Sequence, residues 1–155
     1  MKKAIKFEQI VIMVYERIDE QIEKYNQKAL KLALGSFDGR YGTEKQINNV
    51  LKVCSKRNAL KDLKWKISLI LSMLPKDEVR LILSGGNRVV AINYGDYSAR
   101  TFYRKRKRAF DHFGEMLSYI KLDEANFYAL YGHDAVVQSS IKDYYDNLRL
   151  VRKVA

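Results

Sequence analysis

The sequence predicts an all-α protein, a multi-helix bundle with a long N-terminal amphipathic helix and a central helix-turn-helix. Apolar residues recur every three or four positions along most of the 155-residue chain, as they do on one face of an α-helix. The single proline and most of the eight glycines fall between these stretches. A chain of this length can bury one self-sufficient core, so we expect a single domain over residues 1–155.

The first predicted element is a long helix within residues 1–34. Apolar residues at helical spacing begin at Phe7, and Gly35 ends the pattern. The apolar stripe comprises Phe7, Val11, Val14, Ile18, Ile22, Tyr25, Ala29 and Leu32. This stripe could pack on the rest of the chain or on the same helix of a second copy, because its spacing is close to a heptad.

Residues 43–74 are predicted to form scaffold helices. Thr43 followed by Gln46 has the form of a capping box, and Trp65 is predicted to be a core anchor. The pattern weakens over residues 55–58, which predicts a helix break there. The predicted inner face comprises Ile47, Val50, Leu51 and Cys54 before the break, and Leu60, Leu63, Ile67, Ile70, Leu71 and Leu74 after it.

Residues 75–120 are predicted to contain the helix-turn-helix, and residues 121–155 the C-terminal helices. Pro75 suits the first turn of a short helix whose inner residues are Val79, Leu81, Ile82 and Leu83. The segment Arg88 to Tyr94 fits a helix or a strand equally well, because it contains β-branched residues. Three residues are predicted to be helix N-caps, namely Ser98, Asp123 and Asp134, the last opening a helix from about Ala135 to Val154.

The helix after Ser98 combines an apolar stripe with a dense run of basic residues. At 100° per residue, the residues within roughly 80° of Phe102 are Ala109, Phe110, Phe113, Met116, Leu117 and Ile120. The far side of the helix, between about 140° and 240°, contains Arg100, Arg104, Lys107, Arg108 and the acid Asp111. Lys105 and Arg106 project into the apolar arc, so we interpret them as packing residues.

The charge balance favours a polyanionic partner. The net charge is +11 and the calculated pI is about 9.7, and residues 81–120 contain seven bases against three acids. The single cysteine, Cys54, excludes an internal disulfide and agrees with a reducing compartment. No segment approaches the roughly 20 apolar residues of a membrane span. We therefore expect a soluble, cytoplasmic protein that does not associate with membranes.

Residues 74–117 resemble the promoter-binding fourth region of bacterial sigma factors. The resemblance lies in a Leu74-Pro75 opener, in the Val90-Ala91-Ile92 to Gly95 scaffold segment, and in the sequence from Thr101 to Phe113. The residues Tyr-Ser-Ala-Arg-Thr-Phe-Tyr-Arg-Lys-Arg-Lys at 97–107 also resemble the late-gene transcription regulators of Gram-positive phages. Nothing upstream matches the part of a sigma factor that recognises the −10 element, so the resemblance implies a stand-alone regulator.

This resemblance implies a transcription regulator that binds double-stranded DNA through its helix-turn-helix. Ser98, Arg100 and Thr101 would lie at the front of the recognition helix and contact base edges. The residues that would hold phosphates are Tyr103, Arg104, Lys107 and Arg108. RNA polymerase and a second copy of the chain are further candidate partners.

Other interpretations remain open at this stage. The main alternative is a helical interaction module whose basic face binds RNA polymerase or another acidic protein, and a third possibility is an RNA-binding protein. The basic run could also be a solvated surface. A second basic cluster is predicted to lie on the surface or to contact phosphate, and it comprises Lys56, Arg57, Lys61, Lys64 and Lys66.

We expect neither catalysis nor a cofactor. The sequence contains no phosphate-binding glycine loop and no recognisable pairing of nucleophile and base. His112 and His133 lie far apart, without a cysteine or carboxylate at ligand spacing, so no metal site is predicted.

Overall fold

The computed structural model describes residues 6–35, 43–83 and 99–154, and within these ranges the protein is built from helices without a strand. Six α-helices follow one another along this part of the chain: α1 Lys6–Leu34, α2 Thr43–Met73, α3 Lys76–Leu83, α4 Ala99–Tyr119, α5 Glu124–Tyr131 and α6 Ala135–Val154. The predicted all-α, multi-helix bundle is confirmed. In the described ranges, no helix is both long and apolar enough to cross a membrane.

Helix α1 lies at the centre of the bundle and packs against α2, α4 and α6. Its predicted stripe is confirmed, since every member is buried except Leu32, which is half-buried against the core. Because these residues contact the chain's own helices, the stripe is used within one molecule.

Helices α1 and α2 run antiparallel. At one end the Gln46 side-chain amide donates to the Leu32 carbonyl at 2.8 Å, and towards the other the Tyr15 and Ser68 hydroxyls lie 3.0 Å apart. Helix α2 begins at Thr43 as predicted. The Gln46 side-chain amide nitrogen donates to α1, and its oxygen has no hydrogen-bond partner within the described residues.

Several predictions about α2 are wrong. The helix is continuous through residues 55–58, where no glycine or proline interrupts it. Ile47, Leu51 and Trp65 were expected to pack inward, yet they are 54%, 59% and 63% exposed. After residue 58 the predicted inner face is confirmed, because Leu60, Leu63, Ile67, Ile70 and Leu71 are buried. Gln46 and Val53, which were not predicted, extend this buried side towards the start of α2.

Helices α3 and α4 pack closely against each other. On α3, Leu81 and Ile82 are buried as predicted, whereas Leu83 is 40% exposed because it lies at the end of the helix. The predicted stripe of α4 is confirmed: Met116 and Ile120 are half-buried, and the fully buried members are Phe102, Ala109, Phe110, Phe113 and Leu117.

The C-terminal helices close the bundle over α1. Phe127 of α5 packs edge-to-face on Phe7 of α1, with ring centroids 5.5 Å apart. Asp134 caps α6 as predicted, because its carboxylate accepts from the Val136 backbone N–H at 3.0 Å. Asp123 precedes α5 in an extended conformation without a side-chain cap bond.

Candidate nucleic-acid interface

The basic run of α4 lies on the side of the helix opposite its buried stripe. Arg100, Arg104 and Arg108 are exposed and Lys107 is partly exposed. We call these four residues the basic face. They span about 12 Å along the helix axis, since each residue rises about 1.5 Å. Phe102, Phe110 and Phe113 fix the rotation of α4 by packing into the core, so the basic face is directed to solvent.

Acidic side chains of residues 6–35, 43–83 and 99–154 do not pair with the basic face. Within the described residues, none of its four members forms an ion pair. The exposed acids on this side of α4, Asp111 and Glu115, both follow the basic face along the helix. The exposed surface of α4 is therefore positive in its N-terminal half and negative in its C-terminal half.

Thr101 and Tyr103 flank the basic face. Thr101 is half-buried, while Tyr103 is 47% exposed and its ring packs edge-on against Phe102 at 5.4 Å between centroids. The Phe102 contact holds the aromatic ring in place beside Arg104. Ser98, the predicted N-cap, and the segment Arg88 to Tyr94, the predicted scaffold of the helix-turn-helix, lie outside the described residues.

Arg106 faces the interior despite belonging to the basic run. Its guanidinium lies 4.9 Å from the centre of the Phe110 ring. When the Gln9 side-chain amide is oriented with its oxygen towards Arg106, this oxygen accepts hydrogen bonds from both terminal guanidinium nitrogens, at 3.0 and 2.8 Å. The Arg106 Nε is buried and makes no hydrogen bond within the described residues. Burial lowers the pKa of this guanidinium, and the packing role predicted for Arg106 agrees with these contacts.

On its other flank, the basic face borders helix α3. His112 Nδ1 lies 2.8 Å from a Glu78 carboxylate oxygen, which joins α4 to α3. A cavity of about 410 Å³ opens between the two helices, and the basic residues lining it are Arg80, Lys105 and Arg108. The proximity of Arg80 and Glu78 to α4 could not be predicted from the sequence, because it depends on how the helices pack.

The second basic cluster, on α2, is largely engaged with the chain's own polar groups. Lys64 pairs with Asp19 of α1, and Lys66 pairs with Asp62 at 2.9 Å. Arg57 donates to the Asn26 side chain at 3.2 Å. These contacts neutralise or occupy three of the five bases, which distinguishes this cluster from the basic face of α4.

Metal-ligating side chains do not cluster in the described part of the chain, where no group of three or more His, Cys, Asp or Glu residues could hold an ion. Comparison of the chain with protein-family models, with curated proteins and with solved structures gave no match.

Proposed function

We propose that the protein is a transcription regulator that binds double-stranded DNA through α4. The observation that supports this proposal is the basic face, four cationic side chains that lie on solvent-exposed surface and form no ion pair within the described residues. Clustered bases that the protein does not neutralise favour a polyanion, and the net charge of +11 strengthens that preference.

The dimensions of α4 suit the DNA major groove. A groove about 12 Å wide admits one helix, and the N-terminal residues of that helix then contact base edges. In this arrangement Arg100 and Thr101, together with Ser98, contact bases. The phosphate contacts come from Tyr103, Arg104, Lys107 and Arg108. The exposed acids Asp111 and Glu115 lie beyond the basic face along the helix, with Asp111 one turn after it.

The resemblance to sigma factor region 4 and to phage late-gene regulators supports the same proposal. A single bidentate base contact discriminates between sequences by only about 1–3 kcal/mol. One recognition helix therefore discriminates only weakly between DNA sequences. Binding to RNA polymerase or to a second copy of the chain would supply additional affinity for the target site.

The decisive experiment measures binding to random duplex DNA over a range of salt concentrations. For the wild-type chain we expect log Kd to rise steeply with log salt concentration. The double variant Arg104→Ala with Lys107→Ala should bind every sequence more weakly and lose about two units of slope, because each phosphate contact contributes about 0.9. Lys31→Ala with Lys52→Ala, an equal loss of charge on exposed residues of α1 and α2, is the matched control.

Sequence preference is tested separately by selecting bound sequences from a random DNA pool. Arg100→Ala should change the selected sequence, while the phosphate-contact variants should not. If the wild-type chain binds duplex DNA negligibly and independently of salt, we infer that the basic face binds an acidic protein instead. If hairpin RNA outcompetes duplex DNA, the polyanion is RNA.

A further inference from the structure

The solvent-facing side of α2 presents a row of large apolar residues. Trp65, Leu69 and Met73 are 63%, 43% and 64% exposed. They are four residues apart, so they lie in one row about 12 Å long on the helix surface. We call these three residues the α2 stripe.

The α2 stripe is directed away from the core. Leu63, Ile67 and Ile70, which alternate with it along the helix, are almost completely buried against the rest of the bundle. Helix α2 thus has one apolar side that the fold uses and a second that it leaves exposed. Contiguous exposed apolar surface is uncommon on monomeric proteins and typically marks an interaction site, and tryptophan is enriched among the residues that dominate binding energy.

The charges around the α2 stripe specify the kind of partner. Helix α2 contains seven bases and two acids, and three of the bases, Arg57, Lys64 and Lys66, already contact the chain's own polar groups. The acid nearest Trp65, Asp62, is already paired with Lys66, whereas Lys61 is exposed one turn before Trp65 and forms no ion pair within the described residues. A partner with apolar residues flanked by Asp and Glu would match both the apolar row and its basic border.

We propose that the α2 stripe is a docking site for an acidic protein segment that presents an amphipathic helix. Trp65 would be the central anchor of the interface, with Leu69 and Met73 extending the apolar contact and Lys61 forming part of the charged rim. This proposal does not depend on DNA binding by α4, because the two surfaces lie on different helices and both face away from the shared core.

Two other occupants agree less well with the structure. A symmetric contact between two copies would bring the exposed Lys61 of each copy to the rim of the same interface, and like charges across an interface oppose association. Single-stranded nucleic acid would stack on Trp65, but Leu69 and Met73 offer no aromatic surface to the neighbouring bases.

The fluorescence of Trp65 reports on the stripe directly, because Trp65 is the only tryptophan in the chain. The experiment titrates the full-length protein with a synthetic amphipathic helical peptide whose apolar face is flanked by glutamates, and with a matched peptide carrying lysines at those positions. We expect the acidic peptide to shift the Trp65 emission to shorter wavelength and to saturate, with binding weakened by salt. The basic peptide should produce no shift.

Variants are tested with a fluorescently labelled acidic peptide by anisotropy. Trp65→Ala and Leu69→Ala, both at exposed positions, should leave the helical circular dichroism unchanged, and Trp65→Ala should weaken peptide binding at least about tenfold. Tyr119→Ala, which truncates an 87% exposed aromatic outside the stripe, is the matched control. Arg104→Ala with Lys107→Ala should change peptide binding less than about twofold, which separates this site from the basic face.

Several outcomes would overturn the proposal. Equal binding of the acidic and basic peptides, or no Trp65 emission shift with either peptide, would exclude an acidic segment as the partner of the α2 stripe. An emission maximum that moves with protein concentration, together with a dimer in sedimentation, would assign the stripe to a second copy. Quenching of Trp65 by a single-stranded oligonucleotide that excludes the peptide would assign it to nucleic acid.

Discussion

Arg104 and Arg106 show how strongly the environment of a residue decides its role. They lie two positions apart in the same basic run, yet Arg104 is exposed while Arg106 packs on Phe110 and Gln9. Helical geometry alone separates them, because two residues rotate the side chain by about 200°. The two arginines can therefore be distinguished from the sequence alone. That the Arg106 Nε has no hydrogen-bond partner among the described residues could not be foreseen, since it depends on how the helices pack around it.

We expect Arg106→Met to leave the free energy of unfolding unchanged or to raise it by about 1 kcal/mol. The change removes a half-buried charge whose Nε has no partner within the described residues, while much of the side-chain volume remains. DNA binding should weaken less than about twofold, because only the long-range effect of one charge is lost. Urea unfolding and duplex binding measure the two quantities. Arg104→Met is the control. It should leave the free energy of unfolding unchanged but weaken DNA binding clearly.

Tyr25 joins α1 to the start of α6. Its hydroxyl donates to the Asp134 carboxylate at 2.7 Å. Burial, followed by this hydrogen bond, raises the pKa of Tyr25 to about 12 from its ordinary value of 10.0. A raised pKa means that the folded state favours the protonated phenol. The resulting stabilisation is complete below pH 10 and is lost as the pH rises from 10 to about 12.

Tyr25→Phe should lower the free energy of unfolding by about 1.5–3 kcal/mol at neutral pH, since it removes a hydrogen bond to a charged group. The difference between wild type and variant should stay constant up to pH 10 and then narrow towards pH 12, where the wild-type phenol ionises. Urea unfolding at a series of pH values gives this difference, and Tyr119→Phe on an 87% exposed side chain should show none. A difference that widens above pH 10 would contradict the assignment.

At the scale of whole elements, α1 and α2 differ in how much the sequence could predict. The predicted stripe of α1 lies on one side of the helix, so its periodicity identified the packing side correctly. Helix α2 has apolar residues on two opposite sides, one around Leu63 and Ile67 and the other around Trp65 and Leu69. Periodicity identified the packing side after residue 58, where Leu60, Leu63 and Ile67 are buried as predicted, but not before it, where Ile47 and Leu51 are exposed. The weak pattern over residues 55–58 also suggested a break, which packing of Val53 and Leu60 on either side overrides.

The exposed surface of α4 changes from basic to acidic along the helix, and Asp111 lies where the change occurs. This exposed acid follows the basic face by one turn, so its charge repels phosphates that the basic face would attract. Asp111→Asn should strengthen duplex binding about two- to threefold at low salt, with the gain fading as salt screens the charge. Glu44→Gln, an equal change on an exposed acid of α2, is the control. Equal gains in the two variants would show that net charge matters and the position on α4 does not.

At the scale of the whole molecule, one core supports two outward surfaces of different chemistry. Helix α4 buries its phenylalanines and exposes cations, whereas α2 buries one apolar side and exposes another. The two helices contact each other. The basic face and the α2 stripe lie on different helices and share no residue, so neither surface has to be covered for the other to be used.

We accordingly expect DNA and an acidic amphipathic peptide to bind at the same time. The Kd for duplex DNA, measured with and without saturating peptide in the same buffer, should change less than about twofold, because the two sites share no residue and salt screens charges more than about 10 Å apart. The Trp65 emission shift should also persist in the DNA complex, which gives a second readout from the only tryptophan. The Trp65→Ala variant provides the control, since peptide should then leave DNA binding unaffected at every concentration. Mutual exclusion in the wild-type chain would mean that the acidic peptide occupies the basic face of α4, and it would refute the assignment of separate surfaces.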